Sequence, residues 1–288
     1  MKSIKNKIIS AKIIARRKLI KQYVKLVKPR EMKDIANYWP DMQHIDNTLS
    51  FKGNIIPTIS IHSLINSLKC KKINIIGSGP SVKSLDLSSL KKEHNIFLNG
   101  SITIAQERDL PISLLIIMDV TFVKNRFDII KSINPCHLFL SLGAACAIAE
   151  RDLELLKIHK ITIFTVSKGD NTNFLSSGDS FFSKRINNMF FDGGTVMSIA
   201  IQLAYHIAPL YVYLLGLDIS NSTEPRFYEI KEKSLKSGLL KDYDKKILPF
   251  MVLAKKSYND KNIELFNCSS ISKIPHQVIP YSAIYEIK

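Results

Sequence analysis

The sequence predicts an α/β protein built on a single Rossmann-like, doubly wound sheet, and three observations indicate this class. Short apolar runs rich in Ile, Leu, Val and Phe recur after residue 71, as strands buried on both faces require. Helical stretches lie between most of these runs, which is the rhythm of βαβ units. Two runs lead directly into glycine-containing turns, where such sheets bind their ligands. A length of 288 residues with 45% hydrophobic residues fits one core of this kind.

Seven runs are the candidate strands of the sheet. They comprise residues 73–76, 96–98, 114–117, 137–140, 161–164, 211–215 and 263–266. Because ligands of a doubly wound sheet bind at the carboxyl ends of its strands, we expect the site in the loops that follow these runs. A polar stretch at 168–188 is too long for an ordinary connection, so we predict that it forms a lid or an active-site loop.

The most apolar segment, residues 195–217, contains no Asp, Glu, Lys or Arg and is about as long as a membrane-spanning helix. Pro209 divides it, and Pro ends helices. The residues after this Pro, Tyr-Val-Tyr-Leu-Leu, favour a buried strand. We therefore predict a buried helix over 195–208 followed by a strand over 211–215, and no membrane span.

Most of the net charge of +16 lies in an N-terminal arm. Residues 1–33 contain 12 Lys or Arg and one acid, whereas the rest of the chain contains 29 basic and 24 acidic residues. Apolar residues recur in the arm every three to four positions and share one face of a basic amphipathic helix: Ile4, Ile8, Ala11, Ala15, Leu19, Tyr23 and Leu26. Such a helix is typical of a segment that lies on an anionic membrane; packing on the body or self-association is the alternative.

The chain divides into three parts in this interpretation. Residues 1–45 are the membrane-surface arm, residues 46–70 a linker with scattered Pro and Gly, and residues 71–288 the catalytic body. The arm holds no apolar run long enough for a signal peptide, and the four cysteines form no C-x-x-C pair. We therefore expect a cytoplasmic protein without a zinc site or disulfide bonds.

Three glycine-containing turns carry the candidate chemistry. The turn at 77–81 (Gly-Ser-Gly-Pro-Ser) is expected to offer free amides to a phosphate, and a turn without a ligand is the alternative. It is not a dinucleotide fingerprint, because Val82 stands where the third glycine would be. The turn at 192–195 (Asp-Gly-Gly-Thr) opens the long helix, with Thr195 as its N-cap. The turn at 216–218 (Gly-Leu-Asp) places Asp218 at the ligand-binding edge, either for chemistry or as a cap of the next turn.

Several motifs, in this order and spacing, resemble those of the lipopolysaccharide core Kdo transferases that add a third Kdo residue. They are Leu-Asn-Gly-Ser at 98–101, Asp-Val at 119–120 with Arg126, Phe-Asp-Gly-Gly-Thr-Val-Met-Ser-Ile-Ala-Ile-Gln-Leu-Ala-Tyr at 191–205, Leu-Gly-Leu-Asp-Ile at 215–219, Arg-Phe-Tyr-Glu at 226–229, Ile-Leu-Pro-Phe at 247–250 and Val-Ile-Pro at 278–280. The resemblance covers most of the chain after residue 71. It rests on the shared order, since no single motif is specific.

A more distant resemblance is to the family 42 bacterial sialyltransferases, through Gly-x-Gly-Pro-Ser at 77–81, Asn99, the Gly-Gly-Thr helix start and Gly-x-Asp at 216–218. Those enzymes use CMP-sialic acid on one Rossmann-like domain, a variant of the GT-A form, without metal. CMP-Kdo is a donor of the same kind, so both resemblances imply a CMP-sugar and no cofactor or metal. They imply a donor pocket lined by Gly77, Ser78, Gly79, Pro80, Ser81, Asn99, Gly100, Gly193, Gly194, Thr195, Gly216 and Asp218.

The sialyltransferases carry a histidine base after their Gly-x-Asp strand, whereas residues 221–262 here contain no histidine. A carboxylate is therefore the candidate base. Asp119 comes first because it ends a strand at the ligand-binding edge, with helix capping as its alternative, and Glu229 and Asp218 are the reserves. Arg226 and Tyr228 are expected to bind the phosphate or the sugar carboxylate, unless they are a surface pair.

The Asp-Tyr-Asp stretch at 242–244 has the form of a metal-binding D-x-D motif but lies in a charged helical stretch, so we interpret it as a solvated helix face. The seven histidines form no H-x-H or H-x-x-x-H pair that would indicate a histidine metal site.

The resulting hypothesis is an inverting, metal-independent glycosyltransferase. It moves Kdo from CMP-Kdo to the Kdo region of the lipid A inner core, works on the inner face of the inner membrane and binds no nucleic acid. The alternatives are a CMP-sialic-acid-dependent sialyltransferase and a non-enzymatic membrane- or RNA-binding protein.

Overall fold

A computed structural model of the chain describes residues 41–167, 181–185, 189–220, 225–229 and 237–287, together with Trp39 and scattered positions between 12 and 27. The strands are β1 (Met42–Ile45), β2 (Thr48–Phe51), β3 (Asn54–Pro57), β4 (Lys72–Ile76), β5 (His94–Leu98), β6 (Leu114–Ile117), β7 (His137–Ser141), β8 (Lys160–Ser167), β9 (Met189–Phe191), β10 (Tyr211–Leu215) and β11 (Glu264–Asn267). The described positions between 12 and 27 are helical, as predicted for the arm.

The helices of the body are α1 (Ile61–Ser67), α2 (Ile102–Arg108), α3 (Val120–Asn125), α4 (Phe127–Lys131), α5 (Leu142–Ala149), α6 (Glu154–Ile158), α7 (Val196–Ile207), α8 (Leu239–Asp242) and α9 (Leu248–Asn259). Short 3₁₀ turns occur at Pro80–Ser84, Ser88–Lys92 and Asn99–Ser101, and a π-helical turn at Tyr243–Ile247 joins α8 to α9.

Eight strands form one parallel sheet in the order β11-β10-β4-β5-β6-β7-β8-β9. All seven predicted strands are present in it, because their apolar runs are buried between helices on both faces. The chain moves outward from β4 to β9, and α7 then returns it to β10 on the other side of β4. The strand order therefore reverses between β4 and β10, and this reversal defines the crevice where a doubly wound sheet binds ligands.

The predicted division of the apolar segment at Pro209 is confirmed. Thr195 caps α7, with its Oγ1 accepting a hydrogen bond from Met197 N at 3.3 Å. Ala208 ends the helix in a left-handed conformation (φ 55°), immediately before Pro209, and β10 follows at the predicted residues. Among the residues described, no helix combines the length and apolarity that crossing a membrane would need.

The expected arm boundary at residue 45 and the expected linker at 46–70 differ from the structure, because residues 42–70 belong to the folded body. Strands β1, β2 and β3 form an antiparallel meander, and Leu49, Ile56 and Leu64 are fully buried in the core. Strands of four residues joined by two-residue turns are too short for a period-two pattern to be recognised. Strand β9, of three residues, was missed for the same reason.

The predicted lid at 168–188 lies outside the described residues except for 181–185. In that part, Phe182 is buried and meets Tyr205 of α7 edge to face, with ring centroids 5.0 Å apart. Phe181, Phe182 and Ser183 are therefore buried in the body, whereas Lys184 and Arg185 are exposed.

A polar network closes the amino end of the sheet, opposite the candidate site. Lys72 Nζ lies 2.7 Å from Glu93 Oε1, and Asn74 Nδ2 donates to Glu93 Oε2 at 2.7 Å. Tyr285, near the C-terminus, donates to Asn74 Oδ1 at 2.6 Å. This network fixes the last segment of the chain against the sheet.

Candidate active site

The predicted site residues follow the carboxyl ends of neighbouring strands, so the fold brings them to one edge of the sheet. Residues 77–81 follow β4, Asn99 and Gly100 follow β5, Asp119 follows β6, Gly193–Thr195 follow β9, and Gly216 and Asp218 follow β10. Arg226, Tyr228 and Glu229 belong to a segment, residues 225–229, that packs over the ends of β4 and β5.

The turn after β4 is bound to the strand across the crevice. Gly77 N donates to Leu215 O at 2.8 Å, and Gly79 N donates to Gly216 O at 3.2 Å. These amides are therefore engaged within the protein, contrary to the expectation that they face a phosphate. A short 3₁₀ turn, Pro80–Ser84, follows the glycines.

Gly79 is required here by close packing. Its φ of −64° suits any residue, but a Cβ would overlap the Asp218 carboxylate and lie 2.6 Å from Gly216 O. The reason for glycine is thus the neighbouring strand end rather than a special backbone conformation.

Asp218 is 2% exposed and joins three loops. Its Oδ2 accepts from Ser81 N at 2.9 Å, and its Oδ1 accepts from Ser81 Oγ and Ser269 Oγ, each at 2.5 Å. A carboxylate engaged in this way is poorly placed to accept a proton from a substrate. The geometry favours Asp218 as the residue that shapes the crevice, and its predicted catalytic role stays a prediction.

The two glycines before α7 pack against the segment that contains α9. A Cβ on Gly193 would lie 2.5 Å from Phe250 Cγ, and a Cβ on Gly194, whose φ is +81°, would lie 2.9 Å from Ile247 Cγ1. Packing therefore accounts for both glycines, and their role in donor binding stays a prediction.

The Asp-Tyr-Asp stretch at 242–244 is anchored by its central residue. Tyr243 is buried, and its hydroxyl donates to Lys273 O at 2.8 Å, while Asp244 is exposed. Within the described ranges, no group of three or more His, Cys, Asp and Glu side chains is arranged to hold a metal ion.

Asn99 has two features that are typical of a functional residue. Its backbone is left-handed (φ 49°), and its Oδ1 is buried without a hydrogen-bond partner among the described residues. Strained backbone and unsatisfied buried polar atoms are both uncommon and concentrate at binding sites. Asn99 therefore remains a strong candidate for donor contact.

Tyr228 covers the turn after β5. A Cβ on Gly100 would overlap the Tyr228 ring, so only glycine lets this ring approach the strand end. The pKa of Tyr228 is raised to about 12, mainly by burial and also by the nearby Glu229, although Arg226, Arg126 and a hydrogen bond with Ser78 oppose the shift. The hydroxyl stays protonated at neutral pH and remains a donor.

Glu229 lies between two arginines. Its Oε1 is 3.0 Å from Arg226 Nη1 and 3.5 Å from Arg126 Nη2, and its side chain is 1% exposed. Its Oε2 accepts from Arg226 N at 3.2 Å. Because both oxygens are engaged, Glu229 is a weaker candidate for the base than its position in the motif suggested.

Asp119 is exposed at the end of β6 and caps α3, with Oδ1 accepting from Thr121 N at 2.7 Å. The prediction that Asp119 caps a helix is therefore confirmed. The cap leaves Oδ2 without a donor among the residues that the structure describes. Of the three candidate carboxylates, Asp119 is the one that an incoming hydroxyl can reach.

Two residues of this edge had no role in the sequence interpretation. Arg126 accompanies the Asp-Val motif at 119–120 without a predicted function, and Ser269 lies outside the motifs. Their positions after strands could have indicated both residues. Arg126 follows Asp119 by seven residues, and Ser269 follows the end of β11 by two.

Comparisons with known proteins agree with the resemblance seen in the motifs. A family model described as 3-deoxy-D-manno-octulosonic acid transferase WaaZ matches residues 175–285. A probable 3-deoxy-manno-octulosonic acid transferase of Salmonella typhimurium is 24% identical over 82% of this chain and 95% of its own length. One of the same description from Escherichia coli is 23% identical over 79% of this chain and 88% of its own. The predicted resemblance to the Kdo transferases is thus confirmed.

Two solved structures are also similar. A MAf glycosyltransferase from Magnetospirillum magneticum AMB-1 shares 13% identity over 76% of this chain, with a TM-score of 0.46, and the match spans 38% of that longer chain. The sialyltransferase CstII from Campylobacter jejuni, solved with cytidine-5′-monophosphate, shares 13% identity over 74% of this chain and 85% of its own, with a TM-score of 0.28.

Proposed function

We propose that this chain, a glycosyltransferase by its similarity to the Kdo transferases, transfers Kdo from CMP-Kdo to the Kdo region of the lipopolysaccharide inner core. The observation that carries the proposal is the joining of Asn99, Tyr228, Arg126 and Arg226 at the edge that also holds Asp119. This edge offers cationic and hydroxyl donors for an anionic sugar nucleotide beside an exposed carboxylate for proton transfer. The sialyltransferase alternative shares these requirements except for the sugar.

The chemistry assigned to these residues is a single displacement without metal. Asp119 Oδ2 takes the proton from the acceptor hydroxyl as the hydroxyl oxygen forms a bond to the anomeric carbon. The bond from that carbon to the phosphate oxygen breaks, and CMP leaves with the electron pair. The Tyr228 hydroxyl donates a hydrogen bond to the phosphate as its charge increases. Attack opposite the leaving group inverts the anomeric centre.

The exposure of apolar residues in the arm supports the proposal that the protein acts at the membrane surface. Leu19, Tyr23 and Leu26, which share the predicted apolar face, are 67%, 62% and 87% exposed. They are therefore not covered by the body, which disfavours the packing alternative for this part of the arm. An apolar stripe within a strongly basic helix fits the anionic cytoplasmic leaflet.

The arm is attached near the candidate active site. Arg16 lies 2.8 Å from Asp41, next to β1, and Trp39 packs with Val120 around Gly143 at the start of α5. Val120 follows Asp119 directly. A helix lying on the inner membrane face would therefore hold the carboxyl edge close to a lipid-anchored acceptor.

Two measurements test the proposal. Thermal unfolding with 1 mM CMP, UDP or NAD should show a higher melting temperature with CMP alone, because ligands that bind the folded state stabilise it. Incubation with CMP-Kdo or CMP-sialic acid, followed by mass spectrometry of the lipid acceptor, should show an added Kdo. Stabilisation by UDP or NAD and not by CMP would exclude this donor class, and transfer of sialic acid alone would favour the alternative.

A further inference from the structure

We infer that Arg126 and Arg226, held together by the buried carboxylate of Glu229, form a clamp for the carboxylate of the donor sugar. In this assignment Glu229 is a positioning residue rather than the base. The inference rests on the proposed function, since it concerns the acidic 2-keto sugar of the donor. It adds a binding role for Arg126 and distinguishes the sugar carboxylate from the phosphate.

The geometry of the three side chains is that of a prearranged anion site. Glu229 is almost fully buried and contacts both guanidinium groups, while the side chains of Arg126 and Arg226 keep 16% and 31% of their surface exposed. Arginine suits carboxylates because its planar fork can donate two parallel hydrogen bonds.

The place of the clamp along the sheet edge favours the sugar carboxylate over the phosphate. A nucleotide in the crevice between β4 and β10 brings its phosphate toward Ser78 and Tyr228, which lie over the ends of β4 and β5. Arg126 stands at the end of α3, which follows β6, and β6 lies two strands along the sheet from β4. The group of the donor that lies beyond its phosphate is the sugar.

The position of Asp119 agrees with this order, because Asp119 also follows β6. In a 2-keto sugar acid the carboxylate is bonded to the anomeric carbon itself. A clamp on that carboxylate therefore places the reacting carbon beside the candidate base, and such orientation lowers the barrier to displacement.

Glu229 gives the clamp its fixed geometry. Its Oε1 contacts arginines from two separate parts of the chain, α3–α4 and the 225–229 segment. Without this carboxylate, two like charges would face each other, and we expect the guanidinium groups to move apart.

The test compares a ligand that lacks the sugar carboxylate with one that has it. We expect Arg126→Gln to raise the KM for CMP-Kdo by about ten- to a hundredfold, as the loss of a charged hydrogen-bonded contact should, while the melting-temperature shift produced by CMP stays at the wild-type value. Glu229→Gln should have the same selective effect, and Glu229→Asp should restore part of the affinity. Arg126→Lys, which keeps the charge but not the fork, should fall between wild type and Arg126→Gln.

Glu93→Gln is the control, because Glu93 is also a carboxylate paired with a cation, Lys72, but at the opposite end of the sheet. This variant should have a lower melting temperature but an unchanged KM for CMP-Kdo and an unchanged KM for the acceptor. Equal loss of the CMP shift and of CMP-Kdo affinity in Arg126→Gln would overturn the inference in favour of the phosphate. An unchanged donor KM in a folded variant, or a rise in the acceptor KM alone, would also overturn it. Failure of the proposed function is distinguishable, because the wild-type protein itself would then not respond to CMP.

Discussion

The carboxylate of Asp218 accepts a hydrogen bond from the backbone amide of Ser81 at 2.9 Å, across 137 residues of sequence. This contact joins the loop after β10 to the loop after β4, so one buried side chain holds both walls of the crevice at the point where the strand order reverses. The crevice therefore has a fixed width before any ligand binds.

Removal of the Asp218 carboxylate should destabilise the protein. Asp218→Ala leaves Ser81 N, Ser81 Oγ and Ser269 Oγ without their acceptor, and we expect a loss of about 3 kcal/mol in the free energy of unfolding. Chemical denaturation measures it. Asp244→Ala, at an exposed carboxylate, serves as the control and should change stability by less than about 0.5 kcal/mol. Equal stability of the two variants would contradict the role assigned to Asp218.

Asp119→Asn should lower turnover by roughly a hundredfold or more and leave the CMP-induced shift nearly unchanged, since it removes a base and not a donor contact. Asn is also a good N-cap, so the hydrogen bond to Thr121 N is kept and the loss of the base is isolated from the loss of the cap. Single-turnover kinetics with saturating CMP-Kdo measures the effect. Wild-type turnover in this variant would remove Asp119 from the mechanism.

Gly79→Ala should lower the stability of the fold more than it lowers the affinity for the donor. The added Cβ overlaps the Asp218 carboxylate and the backbone at Gly216, so we expect a melting temperature several degrees below that of the wild type. Gly238→Ala is the matched control, because the nearest atom to its Cβ, Asp242 Oδ2, is 3.8 Å away. A stable Gly79→Ala protein that no longer binds CMP would instead support the original expectation of a phosphate next to this turn.

Stability should fall as the pH is lowered from 6.5 toward 4. Burial, and secondarily Lys261, lowers the pKa of His206 from 6.5 to about 4, so the unfolded chain binds a proton in this range that the folded chain does not. The contribution of His206 to the free energy of unfolding is complete above pH 6.5, and about 1 kcal/mol of it is lost by pH 5.5. Denaturation at pH 7.5 and 5.5 should show a smaller difference for His206→Gln than for wild type. His62→Gln, at an exposed histidine, should retain the wild-type difference.

Deletion of residues 1–30 should abolish sedimentation with anionic vesicles at low salt and slow transfer to a membrane-embedded acceptor, while transfer to a soluble, deacylated acceptor is spared. A full-length Leu19→Ser, Leu26→Ser variant keeps the charge of the arm and should lose part of the vesicle binding. Vesicles of neutral lipid are the control. Full-length protein that does not bind anionic vesicles at low salt would refute the membrane role.

Local patterns in the sequence determined much of the sheet of this protein. Apolar runs predicted seven strands, and Pro209 separated α7 from β10, because burial on both faces and helix termination depend on neighbouring residues. The strand pattern placed Asp119 at the ligand-binding edge, since parallel strands end together, and Asn99 and Tyr228 were expected to bind the donor.

Only the tertiary structure decided what each edge residue does. In the folded chain, Asp218 accepts hydrogen bonds from Ser81 and Ser269. Close packing against Asp218 requires glycine at position 79. Glu229 lies between Arg226 and Arg126. Arg126 and Glu229 are 103 positions apart in the sequence. Whether a carboxylate meets solvent, a hydroxyl or a guanidinium depends on contacts between strands that are distant in the chain, and local periodicity carries no information about such contacts.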